Sequence, residues 1–133
     1  MALLSRFEGP VYALMRIVIG FLFLQHGSQK LLGVPVAMPE GVEVAGLVLA
    51  AGIIELVGGA LVMLGLFAGW AAFLCSGTMA VAFFLFHAAA KGTFLPIMNG
   101  GEPAAVYCWI FLYIAARGSG PWSVDALRGA LKS

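Results

Sequence analysis

Four apolar stretches, at residues 11–32, 44–67, 70–90 and 103–116, decide most of what this 133-residue chain can become. Most approach the ~20 residues needed to cross a ~30 Å hydrocarbon core. The last is short unless Gly101 and Arg117 are drawn into it. The chain is 62% hydrophobic and 10% charged, far below the roughly 25% charged residues of soluble domains, so lipid is the expected solvent. The connecting segments are too short to fold into a soluble domain of their own. In lipid, a helix satisfies its backbone hydrogen bonds within one segment. The expected fold class is therefore all-α, a single integral membrane domain over residues 1–133 built as a four-helix bundle, with a short amphipathic C-terminal helix.

Four spans place both termini on one side. That side carries Arg6, Arg117, Arg128 and Lys132, whereas the two longer loops carry only Lys30 and Lys91 near their starts. The excess of positive charge places both termini in the cytoplasm, in a multi-pass protein of a bacterial-type inner membrane. The first stretch is too long for a signal-peptide core, and no small-x-small cleavage site follows it. A net charge of +1 gives no footprint for nucleic acid, leaving the bilayer as the expected partner. Cys75 is expected near the cytoplasmic end of the third span and Cys108 near the outer end of the fourth. At 1.5 Å rise per residue they are on the order of 15 Å apart in depth, beyond disulfide reach. With no Cys-x-x-Cys pair either, a thiol-disulfide enzyme is excluded.

The two outer loops contain similar signals. Aligning His26 with His87 also aligns Lys30 with Lys91 and Phe23 with Phe84, and after a shift of two residues across the loops "GVE" at Gly41 corresponds to "GGE" at Gly100. The halves read as two parallel helical-hairpin repeats. In the tail, Ser123 is a candidate N-cap, followed by Val124, Leu127 and Leu131 on one face with Arg128 and Lys132 beside them. Such a helix suits the cytoplasmic surface of the bilayer.

Helical spacing gathers the polar residues onto shared faces. Arg16, Gly20, Phe23, Gly27 and Lys30 form one stripe, with His26 at its edge, and Ala45, Gly52, Glu55 and Gly59 form another. Small residues in such stripes let helices approach closely, so both are expected to face into the bundle. Glu55 lies near the middle of its span, where a lone carboxylate costs roughly 2.5–3.5 kcal/mol. It should be paired, solvated or protonated, and Arg16 is the expected partner in a buried ion pair. The alternative is that Glu55 carries protons or touches a ligand.

A second cluster is expected at the outer ends: His26, Lys30, Glu43, His87, Lys91, Asn99 and Glu102, with Gln25 and Gln29 nearby. Its plainest explanation is that lysines snorkel, histidines tolerate interfaces, and acids suit helix N-termini. Its functional explanation is a polar ligand pocket. His26 and His87 are weak candidates for haem ligation, since no Cys-x-x-Cys-His motif or second histidine pair accompanies them, and no dedicated metal site is expected. The histidines and lysines suit the carbonyls of a quinone whose tail lies between spans. Alternatively, both lysines suit an anion such as a sulfur oxyanion.

Together, "RIVIGFLFLQHGSQKLLG" from Arg16, "GIIELVGGALVMLG" from Gly52, "NGGEPAAVY" from Asn99 and "GSGPWSVDAL" from Gly118 resemble the blocks of the DoxX family of small four-span membrane proteins. The resemblance covers almost the whole chain. It carries Arg16, Gly20, Lys30, Glu55, Gly59, Asn99, Gly101, Glu102, Ser123 and Asp125 onto motif positions, and identifies no catalytic residue among them. It implies quinone-linked oxidation of thiosulfate, membrane complexes handling oxidative or thiol stress, or assembly of other membrane proteins. The leading expectation is a membrane subunit or partner of a quinone-linked oxidoreductase, with a quinone headgroup or other small ligand at the outer pocket. The second is a non-enzymatic assembly or scaffold protein, and the third is a small transporter working as a homodimer.

Overall fold

The computed structural model describes residues 2–132, and all its regular structure is helical. A single turn, α1 (Ala2–Ser5), precedes the long helices α2 (Glu8–Leu32) and α3 (Gly46–Leu64). Next, α4 (Ala68–Val81) continues without a break into a π-helical segment, Ala82–Ala89. After a single turn, α5 (Pro96–Asn99), come α6 (Glu102–Arg117) and the short α7 (Val124–Ala130). The four long helices run up, down, up and down. Loops 33–45 and 92–101 share one end of the bundle, here the loop end; the termini and the turn at residues 65–67 share the other, the tail end.

Glu8–Leu32, Gly46–Leu64 and Ala68–Ala89 are long and apolar enough to cross a membrane. At 16 residues, α6 rises about 24 Å and falls short of a ~30 Å core. Beside its N-terminus, Phe94, Leu95, Ile97 and Met98 all lie exposed and extend the apolar surface past the helix end. Along α2 the outward residues Val11, Leu14, Val18 and Phe21 are also exposed, as suits a protein solvated by acyl chains. This is a membrane helical bundle.

Lipid provides no hydrophobic drive for one helix to leave it for another, so close backbone packing has to hold the bundle together. The two stripes supply it between α2 and α3. A Cβ on Gly20 would stand 2.5 Å from Met63 N and 2.7 Å from Gly59 O, and one on Gly59 would stand 2.6 Å from Leu24 N. Seven residues along each helix, Gly27 faces Gly52 and Leu56 with the same closeness. Opposite them, α4 packs on α6, with Gly69 close to Ala115 O and Ser76 bonded to Cys108 O. The core closes across α2 and α6, where Phe23 meets Phe111 at 4.6 Å and Tyr107 at 5.5 Å between ring centroids.

The second and third spans were expected to reach 67 and begin at 70; the structure turns earlier. Gly65, at φ +68°, ends α3, and its N–H bonds to Val62 O at 3.1 Å while Leu66 N–H bonds to Leu61 O at 3.0 Å. Phe67 then takes φ +50°, unusual for a side-chain-bearing residue, and its N–H is held by Asp125 Oδ2 at 2.7 Å.

The two cysteines also lie differently from expectation. Ser76 Oγ donates to Cys108 O at 2.8 Å and approaches Cys108 Sγ to 3.5 Å, so Cys108 is level with the neighbour of Cys75, not far above it. Because α6 is short, Cys108 falls at its middle instead of its outer end. Both thiols are free.

Candidate functional site

A cavity of about 320 Å³ opens at the loop end between α2, α3, the π-helical segment and α6. Its walls are mainly apolar and aromatic, among them Phe23, Met79, Phe86 and Tyr107. Polarity comes from His26 and Lys30 of α2, Glu55 of α3, His87 of the π-helical segment and the hydroxyl of Tyr107 on α6.

Lys30 Nζ and Glu55 Oε2 form an ion pair at 2.5 Å. Glu55 is 3% exposed, and the Lys30 side chain is 19% exposed. This corrects the expected pairing of Glu55 with Arg16, and helix geometry explains why. Each Cα–Cβ bond tilts toward its own helix N-terminus. On α2 that tilt carries Lys30 from the loop end toward the middle, and on antiparallel α3 it carries Glu55 toward the loop end. The two lean together, while Arg16 leans toward the tail end, away from Glu55. Glu55 Oε2 is engaged by Lys30; Oε1 receives no hydrogen bond from the described residues.

Arg16 is wholly buried and does different work. One terminal nitrogen donates to Val62 O at 2.7 Å and Met63 O at 2.8 Å, in the last turn of α3, where carbonyls lack intrahelical partners. The other donates to Trp122 O at 2.8 Å and, more weakly, to Pro121 O at 3.5 Å. The cation thus sits at a helix C-terminus, where the dipole favours it, and fastens the tail to α3. Around it the tail motif closes the turn: Ser119 Oγ donates to Asp125 Oδ2 at 2.6 Å, Asp125 N–H bonds to Gly65 O at 3.1 Å, and Ser123 Oγ caps α7 by accepting Ala126 N–H at 3.1 Å. The tail helix is therefore anchored at its start, and none of its own residues is buried.

His87 Nδ1 lies 3.2 Å from the backbone oxygen of Asn99. Asn99 is itself buried, donating to Thr93 O at 2.9 Å and accepting Gly101 N–H at 2.7 Å. It does not line the cavity; it shapes the loop that holds His87. His26 is exposed at the rim, edge-on to Tyr107 at 6.2 Å. His26 and Tyr107 also border a smaller recess of about 180 Å³ lined by Gln25, Gln29 and Pro35.

Of the expected cluster, Glu43, Lys91 and Glu102 stay outside the cavity and are exposed. Glu43 precedes α3, whose first residue is Gly46, not Val44. Glu102 occupies the first turn of α6, where the helix dipole suits it. Lys91 fails to repeat Lys30 because it follows the π-helical segment, in which residues five apart, not four, come into line. Tyr107 was missed. Its signal was the face it shares with Ala104, Phe111 and Ile114 at spacings of three and four.

The DoxX family model matches residues 11–88. The chain belongs to the DoxX family. An uncharacterized protein of Haemophilus influenzae is 42% identical over 125 residues, covering 92% of this chain and 93% of that one. No solved structure matches. The DoxX match runs from α2 through the π-helical segment and so contains Arg16, His26, Lys30, Glu55 and His87, while Asn99, Glu102, Tyr107 and the tail motif lie beyond it. Together with its long apolar helices, DoxX membership makes the chain a membrane protein.

Proposed function

We propose that this DoxX protein is a membrane subunit or partner of a quinone-linked oxidoreductase in a bacterial-type inner membrane, and that the loop-end cavity holds the quinone headgroup. The observation that carries this reading is the convergence of Lys30, Glu55, His26 and His87 in an otherwise apolar cavity inside a membrane bundle. A few fixed polar groups within apolar walls are the ordinary make-up of a small-molecule site.

The surroundings support an amphiphilic ligand. A second, almost wholly apolar groove of about 390 Å³ runs along the lipid-facing side of α3 and α4 and shares Ala51, Ala82 and Phe86 with the polar cavity. A headgroup in the cavity can extend its tail through this groove toward lipid. The anion reading is weaker on two counts: Lys91 is absent from the cavity, and Lys30 already faces a carboxylate. A scaffold gripping partner helices by its glycine faces is also disfavoured, because those faces are spent on one another between α2 and α3.

The test is quinone binding by the purified chain in lipid nanodiscs, read by titration calorimetry and by mass spectrometry of the extracted lipids. Saturable binding is expected, weakened about tenfold or more by His26→Ala combined with His87→Ala, the scale of losing one or two buried hydrogen bonds. Absence of quinone from the extract together with no saturable binding overturns the reading.

A further inference from the structure

We infer that the cavity selects the reduced, dihydroxyl form of the headgroup over the oxidised, dicarbonyl form, an inference that rests on the quinone-site reading above. It follows from which polar atoms in the cavity can give a proton and which can only take one.

At His87, the partner of Nδ1 is a backbone carbonyl oxygen, which has lone pairs and no hydrogen. Nδ1 must therefore carry the proton, and in the neutral ring Nε2 is left as an acceptor. The assignment is held by the loop, since the Asn99 side chain is locked at both ends by Thr93 and Gly101 and its carbonyl cannot swing away freely. Nε2 has no hydrogen-bond partner among the described residues.

The ion pair adds a mixed site. Glu55 Oε1 is a second acceptor without a donor among the described residues, and Lys30 keeps N–H groups beyond the one given to Glu55. A hydroxyl beside this pair both accepts from Lys30 and donates to Glu55; a carbonyl only accepts. A hydroxyl beside His87 donates to Nε2, whereas a carbonyl there sets lone pair against lone pair. The dihydroxyl ligand thus satisfies Lys30, Glu55 and His87, whereas the dicarbonyl ligand leaves Glu55 and His87 unmatched; His26 and the Tyr107 hydroxyl, which can each give or take a proton, serve both forms alike. In a mainly apolar cavity, a polar group left unmatched costs the full desolvation of that group.

The expected preference is at least about tenfold in Kd, which is about 1.4 kcal/mol. Such a preference raises the two-electron midpoint potential of the bound couple by about 30 mV per tenfold.

Three ligands sharing one decyl tail separate the outcomes: a benzoquinone, its quinol kept anaerobic, and the dimethyl ether of that quinol, which has no proton to donate. Each is titrated calorimetrically into the full chain in nanodiscs. The quinol is expected to bind at least about tenfold more tightly than the other two, and His87→Phe is expected to narrow that gap chiefly by weakening the quinol. The ether gives the same comparison on the unaltered protein, whatever His87→Phe does to folding. Equal binding of quinone and quinol, or tighter binding of the quinone, overturns this inference and leaves the quinone site standing. Failure of all three to bind overturns the site itself.

Discussion

Lys30 and Glu55 put opposite charges into a wall built of alkyl and aromatic groups, so either one alone is costly there. Removing one partner of such a pair destabilises by about 3–5 kcal/mol, because a buried charge is left uncompensated, whereas replacing both by apolar residues is close to neutral. Lys30→Met or Glu55→Leu singly should therefore lower the unfolding midpoint in detergent sharply, and the double variant should regain most of the loss; additive losses would show that the two do not act as a pair. Arg16 should behave differently, because its partners are backbone carbonyls that no second substitution can remove. Arg16→Leu is expected to cost about 2–4 kcal/mol, and Arg16→Lys to recover little, since one ammonium cannot span carbonyls of both α3 and the tail as the planar fork does. Sequence showed that both Arg16 and Glu55 were buried and in need of partners. It did not show which partners, because spacing gives the face and depth of a residue, while the choice between Arg16 and Lys30 turned on the opposed tilts of Cα–Cβ bonds on antiparallel helices. His87 was legible as a candidate, but the carbonyl that fixes its tautomer depends on loop conformation at Asn99, which no periodicity encodes.

The contact of α2 with α3 depends on glycine to a degree that a matched comparison can measure. Gly20→Ala and Gly59→Ala drive a Cβ into the backbone of the facing helix, whereas Gly77→Ala in α4 meets open space. The first two should lose about 1–3 kcal/mol or more through overpacking, and Gly77→Ala should be neutral or gain about 0.5–1 kcal/mol from reduced chain freedom. Equal effects at all three sites, in denaturation followed by circular dichroism, would count against a glycine-mediated interface. This interface was readable in advance, since Gly20 with Gly27 and Gly52 with Gly59 repeat at seven residues on faces that also carry the buried charges. The helix ends were less so. Apolarity alone ran the second span to residue 67, past the left-handed Gly65 that ends α3, and nothing in "AFFLFHAA" announces that Ala82–Ala89 winds as a π-helix. That change of winding is what separates Lys91 from the cavity and breaks the apparent repeat.

Taken whole, the molecule has a polar cavity at one end and, at the other, a turn clamped by Arg16 and Asp125, with Arg117 paired to Glu8 across α2 and α6 at 2.6 Å. The positive residues Arg6, Arg117, Arg128 and Lys132 all belong to the tail end, and from the charge rule we propose that this end is cytoplasmic. A cysteine introduced at the exposed Leu131 of an otherwise cysteine-free chain should accordingly react with a membrane-impermeant maleimide in inverted vesicles and not in intact cells; the reverse pattern would invert the bundle. The bundle architecture was legible from composition and spacing because lipid permits so few alternatives for a chain of this apolarity. The cavity was only half legible, because Lys30, His26 and His87 could be placed at one depth, but Glu55 joins them through a tilt and Tyr107 through an aromatic face. The central claim is that this cavity, and not another groove of the bundle, receives the quinone headgroup. It is tested most directly by photolabelling membranes that contain the protein with an azido-substituted quinone and mapping the modified peptides. Label on the segments bearing His26 to Lys30 or Phe86 to His87, abolished by excess unlabelled ligand, is the result expected; label confined to the tail-end groove of Trp70 and Leu112, or unaffected by competitor, would contradict it.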